Sequence, residues 1–148
     1  MQVDRWALNY LSLAKTVSEW SKDPSTKIGA VAVGAKGQIL AQGFNGFPRK
    51  IADTFERLNT RELKYKYVVH GEMNCIYNAA LNGTSLDNAD MYVYGLPVCS
   101  ECAKGIIQIG IRRVFVCHPI LENTNRWIES EKLTTELFEE AGVEYHKV

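Results

Sequence analysis

Residues 70–117, HGEMNCIYNAALNGTSLDNADMYVYGLPVCSECAKGIIQIGIRRVFVC, contain the clearest helix and strand patterns of the chain. Their apolar spacing predicts two helices and two strands in alternation: helices over 70–81 and 99–109, strands over 91–94 and 113–117. Gly83 and Gly110 follow the two helices at the position where glycine commonly ends a helix. Because helices and short strands alternate, we expect parallel strands joined by right-handed crossovers.

The flanking segments extend this pattern in both directions. They predict helices over 5–20 and 124–141 and strands over 28–33, 38–44 and 143–146. The two N-terminal strands, separated by Gly34-Ala35-Lys36-Gly37, are typical of an antiparallel hairpin. We therefore predict an α/β fold with three α/β/α layers, formed by one domain over residues 1–148. Its mixed sheet has about five strands, with an antiparallel N-terminal hairpin followed by parallel strands and crossover helices.

Several residues are predicted to have purely structural roles. Trp6 and Trp20 lie at helical spacing and are expected in the core. Cys75 and Cys117 are expected to be buried apolar residues. The segment 45–66 is long, charged and weakly periodic, which is typical of a functional loop or a loop with a short helix. Its charged part, 56–66, is predicted to be a solvated face.

Charge and hydropathy patterns narrow the classes of partner. Seventeen basic side chains balance seventeen acidic ones, whereas proteins that bind nucleic acid usually carry a basic excess. We therefore expect a small-molecule substrate and no nucleic-acid partner. No apolar run approaches the roughly 18 residues that span a bilayer, and the N-terminus lacks a signal-peptide pattern. The expected location is the cytoplasm, with no membrane partner.

Two short segments at predicted helix starts contain metal-binding residue types: His70-Gly71-Glu72 and Pro97-Val98-Cys99-Ser100-Glu101-Cys102. Cys99 and Cys102 are one helical turn apart, so both sulfurs can point the same way. The peptide dipoles at a helix N-terminus favour thiolates. With His70 as a third ligand, one imidazole and two thiolates form a donor set suited to Zn²⁺.

The fourth coordination position separates a structural zinc from a catalytic one. A structural site would need another cysteine or histidine, and spacing leaves Cys117 and His118 as alternatives. A redox-active cysteine pair is a further alternative. Without an obvious fourth ligand, we favour an open site that holds water, whose pKa zinc lowers until hydroxide is available near neutrality. Glu72, close by but not a ligand, is then predicted to be the proton shuttle.

These segments resemble the deoxycytidylate deaminases, which belong to the zinc-dependent cytidine/deoxycytidylate deaminase family. The resemblance covers nearly the whole chain and is carried by residues 21–30, 43–49, 70–72, 99–104 and 106–113. The run Gly43-Phe44-Asn45-Gly46-Phe47-Pro48 distinguishes this group from other zinc deaminases. Two positions depart from the pattern. Val98 separates the proline from the first cysteine, and Gly71 stands where alanine is common.

The resemblance implies a cytidine-deaminase-like fold and a hydrolase that converts dCMP to dUMP with release of ammonia, supplying dUMP for thymidylate synthesis. It assigns one zinc ion to His70, Cys99 and Cys102, and the general acid/base role to Glu72. Activated water would attack C4 of cytosine. The alternatives are a deaminase of another cytosine nucleotide or nucleoside, such as dCTP or cytidine, and a non-catalytic, zinc-stabilised regulatory module.

The resemblance also implies substrate contacts. Asn45 would contact the sugar or base, the Gly71 N–H would lie near O2, and the backbone beside Pro97 would accept the exocyclic amine. Some members hold the 5′-phosphate with an arginine late in the His-Gly-Glu helix, where this chain has Leu81. The candidate replacement cations are Lys27, Arg49, Lys50 and Arg126. The candidate stacking residues are Phe44, Phe47 and Trp127.

Assembly and regulation follow from the same resemblance. Some members are hexamers that dCTP activates and dTTP inhibits through a Gly-Tyr-Asn-Gly loop. Phe44 replaces the tyrosine here, and the resemblance allows allosteric control, with Mg²⁺ accompanying the regulatory nucleotide. We predict a homo-oligomer, either a hexamer or a dimer.

Overall fold

The computed structural model describes residues 4–119 and 125–148, and the side chains of residues 125–127 lie outside that description. The described helices are α1 (Arg5–Ser18), α2 (Phe55–Asn59), α3 (Arg61–Tyr67), α4 (Gly71–Leu81), α5 (Ser100–Gln108) and α6 (Asn125–Ala141). The described strands are β1 (Gly29–Val33), β2 (Ile39–Phe44), β3 (Asp90–Tyr94), β4 (Arg113–Cys117) and β5 (Glu144–Lys147). None of these helices combines the length and the apolar character needed to cross a membrane.

The five strands form one mixed sheet in the order β2-β1-β3-β4-β5. Strand β1 pairs antiparallel with both β2 and β3, while β3, β4 and β5 are parallel. This arrangement confirms the predicted hairpin, the parallel strands with crossover helices and the mixed five-stranded sheet.

The sheet has an apolar layer on each face because successive strand residues point to opposite sides. Ala30 and Ala32 of β1 belong to one buried cluster, which includes residues of α4, α5 and α6. Val31 and Val33 belong to a second cluster, which packs against α1. Helices therefore cover both faces, as the predicted three-layer fold requires.

The prediction that Trp6 and Trp20 are core residues is wrong. Their exposed fractions are 56% and 54%. The buried side of α1 is instead a stripe of small and aliphatic residues: Ala7, Leu11, Ala14 and Val17. Trp6 is rotated about 100° from Ala7 around the helix axis, and Trp20 lies beyond the end of α1 at Ser18. Helical spacing of hydrophobic residues therefore did not identify the residues of α1 that face the core.

The segment 45–66 contains α2 and most of α3, so the expected short helix is present twice. Lys64 of α3 is buried, and the predicted solvated face is therefore wrong at this position. The predicted burial of Cys75 is confirmed, since it is fully buried, whereas Cys117 is only partly buried.

Helix α4 packs closely on strand β2, and this contact positions the N-terminal end of the helix. A Cβ atom at Gly43 of β2 would lie 2.2 Å from the Cys75 backbone nitrogen of α4. No side chain fits at that distance. The absence of a side chain at Gly43 therefore lets α4 lie directly against the strand.

Candidate active site

The predicted ligands lie at the starts of two neighbouring helices. His70 is the N-cap residue of α4, and Cys99 is the N-cap residue of α5. The Cys99 sulfur accepts a 3.4 Å hydrogen bond from the backbone N–H of Cys102. Because the first N–H groups of a helix lack partners within the helix, this end stabilises negative charge on sulfur.

The three predicted ligands form a compact group. His70 Nδ1 lies 3.3 Å from the sulfurs of both Cys99 and Cys102, and all three donor atoms lie within 4.8 Å of one another. Among the described residues, no other histidine, cysteine or acidic side chain joins this group. One imidazole and two thiols suit Zn²⁺, and the described part of the chain leaves the fourth position to a ligand from outside the protein.

Hydrogen bonding within the group acidifies one of its two thiols. Hydrogen bonding with Cys102 and His70 lowers the pKa of Cys99 to about 4, although burial opposes the shift. The neighbouring Cys99 in turn raises the pKa of His70 to about 8 and raises the pKa of Cys102. The cluster therefore holds a thiolate near neutral pH, which is the form of cysteine that binds metal.

Glu72 lies beside this group on the first turn of α4. It is 2% exposed, and its Oε1 has no hydrogen-bond partner. Burial raises the pKa of its carboxyl to about 7, despite the opposing charge of His70. An unpartnered buried carboxyl oxygen costs stability. Its pKa near neutrality is the value that a proton-transfer group needs.

A cavity of about 520 Å³ opens onto this site. His70, Glu72 and Cys99 share its wall with Asn45 and Pro97. Its other lining residues are Asp23, Pro24, Ser25, Thr26, Ile28, Leu58, Asn59, Arg61, Lys64, Tyr65, Val68 and Leu96. The volume lies in the range of small-molecule sites.

Asn45 organises one wall of the cavity. Its side-chain amide donates to the Thr26 carbonyl and accepts from the Ile28 N–H, both at 2.8 Å. These bonds use one amide hydrogen and one oxygen lone pair, and the residue is only 4% exposed. Asn45 therefore shapes the segment 26–28, and its substrate contact stays a prediction.

The predicted Gly71 position is also tightly packed. A Cβ atom there would lie 3.1 Å from the Ile28 carbonyl and 3.4 Å from the Asn45 nitrogen. The close approach of α4 to these two residues explains why glycine suits the position, where alanine is common in the resembled family.

Other predicted substrate residues are not brought to this cavity. Lys27 is exposed and does not line the cavity, although its neighbours Thr26 and Ile28 do. Phe44 packs edge-on against Trp20, with ring centroids 6.2 Å apart. Arg49 donates to the Asn78 side chain at 2.6 Å. Lys50 and Phe47 line a separate cavity. The side chains of Arg126 and Trp127 lie outside the described residues.

The backbone of the extra residue Val98 forms hydrogen bonds with α6 and β5. Its N–H donates to the Tyr145 hydroxyl at 3.1 Å, and its carbonyl accepts from the Thr134 hydroxyl at 2.9 Å. The Val98 carbonyl therefore faces α6, while Pro97 lines the cavity.

Sequence reasoning missed five cavity residues from the charged segment 56–66: Leu58, Asn59, Arg61, Lys64 and Tyr65. It also gave no role to Asp23, whose carboxylate binds Lys64 at 3.1 Å. The proximity of the charged segment to His70 in the sequence could have indicated this. The charged run ends a few residues before His70, so part of it is expected to lie near the site.

Comparison with known proteins places this geometry in a family. The family model described as cytidine and deoxycytidylate deaminase zinc-binding region matches residues 4–118. An uncharacterised deaminase of Aliivibrio fischeri is 36% identical over 96% of this chain and 92% of its own length. The deoxycytidylate deaminase of Homo sapiens is 34% identical over 96% of this chain and 79% of its own length.

A solved structure shares the fold. The dCMP deaminase of cyanophage S-TIM5, in complex with dCMP and dUMP, superposes with a TM-score of 0.79 at 24% identity over the full length of both chains. Together with the match to residues 4–118 and the compact His/Cys/Cys group, these similarities show that the chain belongs to the zinc-binding cytidine and deoxycytidylate deaminase family.

Proposed function

We propose that this protein hydrolyses dCMP to dUMP and ammonia. The observation that carries the proposal is the buried Glu72 carboxyl, with an unpartnered oxygen, in the same cavity as His70 and Cys99. The names of the human and cyanophage proteins support dCMP as the substrate. The reaction adds the oxygen of water to C4 of cytosine and breaks the bond between C4 and the exocyclic nitrogen.

His70, Cys99 and Cys102 would hold one zinc ion. Such an ion supplies Lewis acidity, which makes water nucleophilic near neutral pH. Glu72 takes a proton from the attacking water and delivers it to N3 of the base, which makes C4 more electrophilic. The same carboxylate then takes the remaining proton of the hydroxyl added at C4 and transfers it to the leaving amine, so that the C4 carbonyl forms, ammonia departs and the carboxylate is restored. A carboxyl whose pKa lies near 7 can do both.

Three backbone or side-chain groups would orient the base. The Gly71 N–H belongs to the first turn of α4, where N–H groups have no partner within the helix, and it would donate to O2. Asn45 lines the cavity and would contact the sugar or the base. The backbone beside Pro97 would accept the exocyclic amine. Asn45 and Pro97 line the cavity, whereas the role of the Gly71 N–H rests on the family resemblance.

The test of the proposed function replaces the carboxyl group of Glu72 with an amide. Glu72→Gln should retain zinc and lose nearly all dCMP turnover, because the amide cannot exchange protons. The matched control is Glu101→Gln, which changes an exposed carboxylate within the same metal segment and should keep the parent rate. Equal turnover by Glu72→Gln and the parent would remove the assigned role.

A substrate panel separates the alternatives. Ammonia release from dCMP, deoxycytidine, cytidine and dCTP should be fastest for dCMP. If zinc is bound and none of the four compounds reacts, the non-catalytic regulatory module becomes the better description.

We also propose a homo-oligomer, a hexamer or a dimer, in the cytoplasm. Exposed large apolar side chains support assembly: Trp6, Leu8, Ile39, Phe55 and Leu81. A reducing compartment would keep the ligand cysteines as thiols. Allosteric control by dCTP and dTTP with Mg²⁺ stays a prediction, as do the single domain over 1–148 and the absence of a nucleic-acid or membrane partner.

A further inference from the structure

We propose that Arg61 binds the 5′-phosphate of the substrate and thereby makes the enzyme select a nucleotide over a nucleoside. The inference rests on the function proposed above and deepens it. Arg61 is the first residue of α3, and it lines the same cavity as His70 and Glu72. It lies outside the set of cations that the sequence suggested.

The second cation of the cavity is already neutralised. Lys64 Nζ lies 3.1 Å from an Asp23 carboxylate oxygen and 2.8 Å from the Ser25 hydroxyl. Burial opposes ionisation of Asp23, but hydrogen bonds from Thr26, Ser25 and Lys64 hold its pKa below the usual value. The carboxylate therefore stays charged at neutral pH, and this pair offers no net positive charge to a phosphate.

Arg61 differs in its partners. None of the ion pairs found among the described residues includes it. Its Nε donates to the Tyr65 hydroxyl at 3.0 Å, and its guanidinium carbon lies 5.4 Å from the centre of the Tyr65 ring. The hydrogen bond through Nε fixes the orientation of the guanidinium group. The two terminal nitrogens can then form a fork toward an acceptor.

A phosphate monoester is the ligand that such a fork fits. Arginine binds phosphate through two parallel, charge-assisted hydrogen bonds, and its guanidinium is always protonated. The cavity already has acidic groups, Asp23 and Glu72, in its wall, so an anionic substrate needs an uncompensated cation within reach. Of the cations that line the described cavity, Arg61 meets that requirement.

The test compares one nucleotide with its nucleoside. Arg61→Gln should raise the KM for dCMP about tenfold to a hundredfold, the effect of losing charge-assisted hydrogen bonds. The kcat/KM for deoxycytidine should change by less than about twofold, because that substrate lacks the phosphate. Arg61→Glu should raise the KM for dCMP further, because its carboxylate repels the phosphate. Arg61→Lys should raise the KM less than Arg61→Gln does.

The matched control is Lys66→Gln, which removes an exposed positive charge from the same helix without altering the cavity wall. It should keep the parent KM for both substrates. This control distinguishes contact with the phosphate from a general effect of net charge.

The outcomes separate this inference from the proposed function. Parent KM values for dCMP in Arg61→Gln, or a parent enzyme that uses deoxycytidine as well as dCMP, would overturn the role of Arg61 alone. A parent enzyme that deaminates no cytosine compound would overturn the proposed function. In that case equilibrium binding of dUMP against deoxyuridine to parent and Arg61→Gln still decides the inference: equal dUMP affinity would refute it. A dCTP preference that Arg61→Gln abolishes would assign the residue to a triphosphate and overturn the monophosphate assignment.

Discussion

The Thr134 hydroxyl of α6 donates a 2.9 Å hydrogen bond to the carbonyl of Val98, the residue directly before the metal-site residue Cys99. The Val98 N–H donates to Tyr145 of β5, and the Ser100 N–H donates to Ser130 of α6. Two elements near the C-terminus therefore hold the backbone on both sides of Cys99. Val98, which departs from the family's motif, has both its N–H and its carbonyl in hydrogen bonds to these elements.

Removing the Thr134 hydroxyl tests this support. Thr134 is fully buried, so Thr134→Val leaves the Val98 carbonyl without its partner at a cost of about 1–3 kcal/mol in the free energy of unfolding. Urea unfolding of the zinc-loaded protein measures this change, and competition with a chelator measures the rate of zinc release, which should rise.

Thr135→Val is the matched control for that experiment. The Thr135 hydroxyl donates to the Glu131 carbonyl within its own helix. If both variants release zinc at the same rate, α6 does not support the site in the way described.

Zinc content tests the ligand set. His70→Ala and Cys102→Ala should lose the metal, since two protein ligands do not hold zinc tightly. Cys117→Ala and His118→Ala should keep one zinc per chain, because neither side chain belongs to the described group. Metal analysis by mass spectrometry gives the stoichiometry. Loss of zinc on replacing Cys117 or His118 would indicate a structural site with four protein ligands.

The buried pair of Asp23 and Lys64 predicts acid sensitivity. Their side chains are 8% and 11% exposed, so Asp23→Asn leaves a buried, unpaired ammonium and should cost about 3–5 kcal/mol at neutral pH. Because the native pKa of Asp23 is lowered from 3.8, its stabilisation is complete above the unfolded value and is lost as pH falls through the native value. The difference between parent and variant should therefore shrink below about pH 4.

Denaturant unfolding of both proteins across this pH range measures that difference. The control is Asp53→Asn, which breaks an exposed pair with Lys22 and should cost less than about 1 kcal/mol. An Asp23→Asn difference that is independent of pH would contradict the linkage.

The contact between Gly43 and α4 predicts a strict size limit. Gly43→Ala would place Cβ 2.2 Å from the Cys75 nitrogen, so β2 and α4 must separate, at a cost of about 3 kcal/mol or more. Gly46→Ala is the control, since its nearest neighbour would be the Phe44 ring at 3.9 Å. Thermal unfolding compares the two. A Gly43→Ala protein as stable as Gly46→Ala would mean that the contact is looser than described.

Local patterns predicted most of the fold. The strand at 113–117 has the predicted bounds, and the helix at 70–81 differs by one residue. Hydrophobic periodicity predicts such elements because apolar residues recur at the repeat of a helix or a strand that has one side in the core. The same reasoning failed for Trp6 and Trp20, because the buried stripe of α1 depends on which face meets the sheet. Periodicity alone does not specify that face.

Residue type and local spacing were enough to predict the metal and proton-transfer chemistry of His70, Glu72, Cys99 and Cys102, because one helical turn separates the two cysteines. The groups that surround these residues come from distant parts of the chain and become visible only in the folded protein. Folding brought Arg61 and Lys64 into the cavity, neutralised Lys64 with Asp23, and bound the backbone of Val98 from α6 and β5. Contacts of this kind depend on how separate helices and strands pack against one another. The spacing of residues along the chain does not give the distance between residues on different elements.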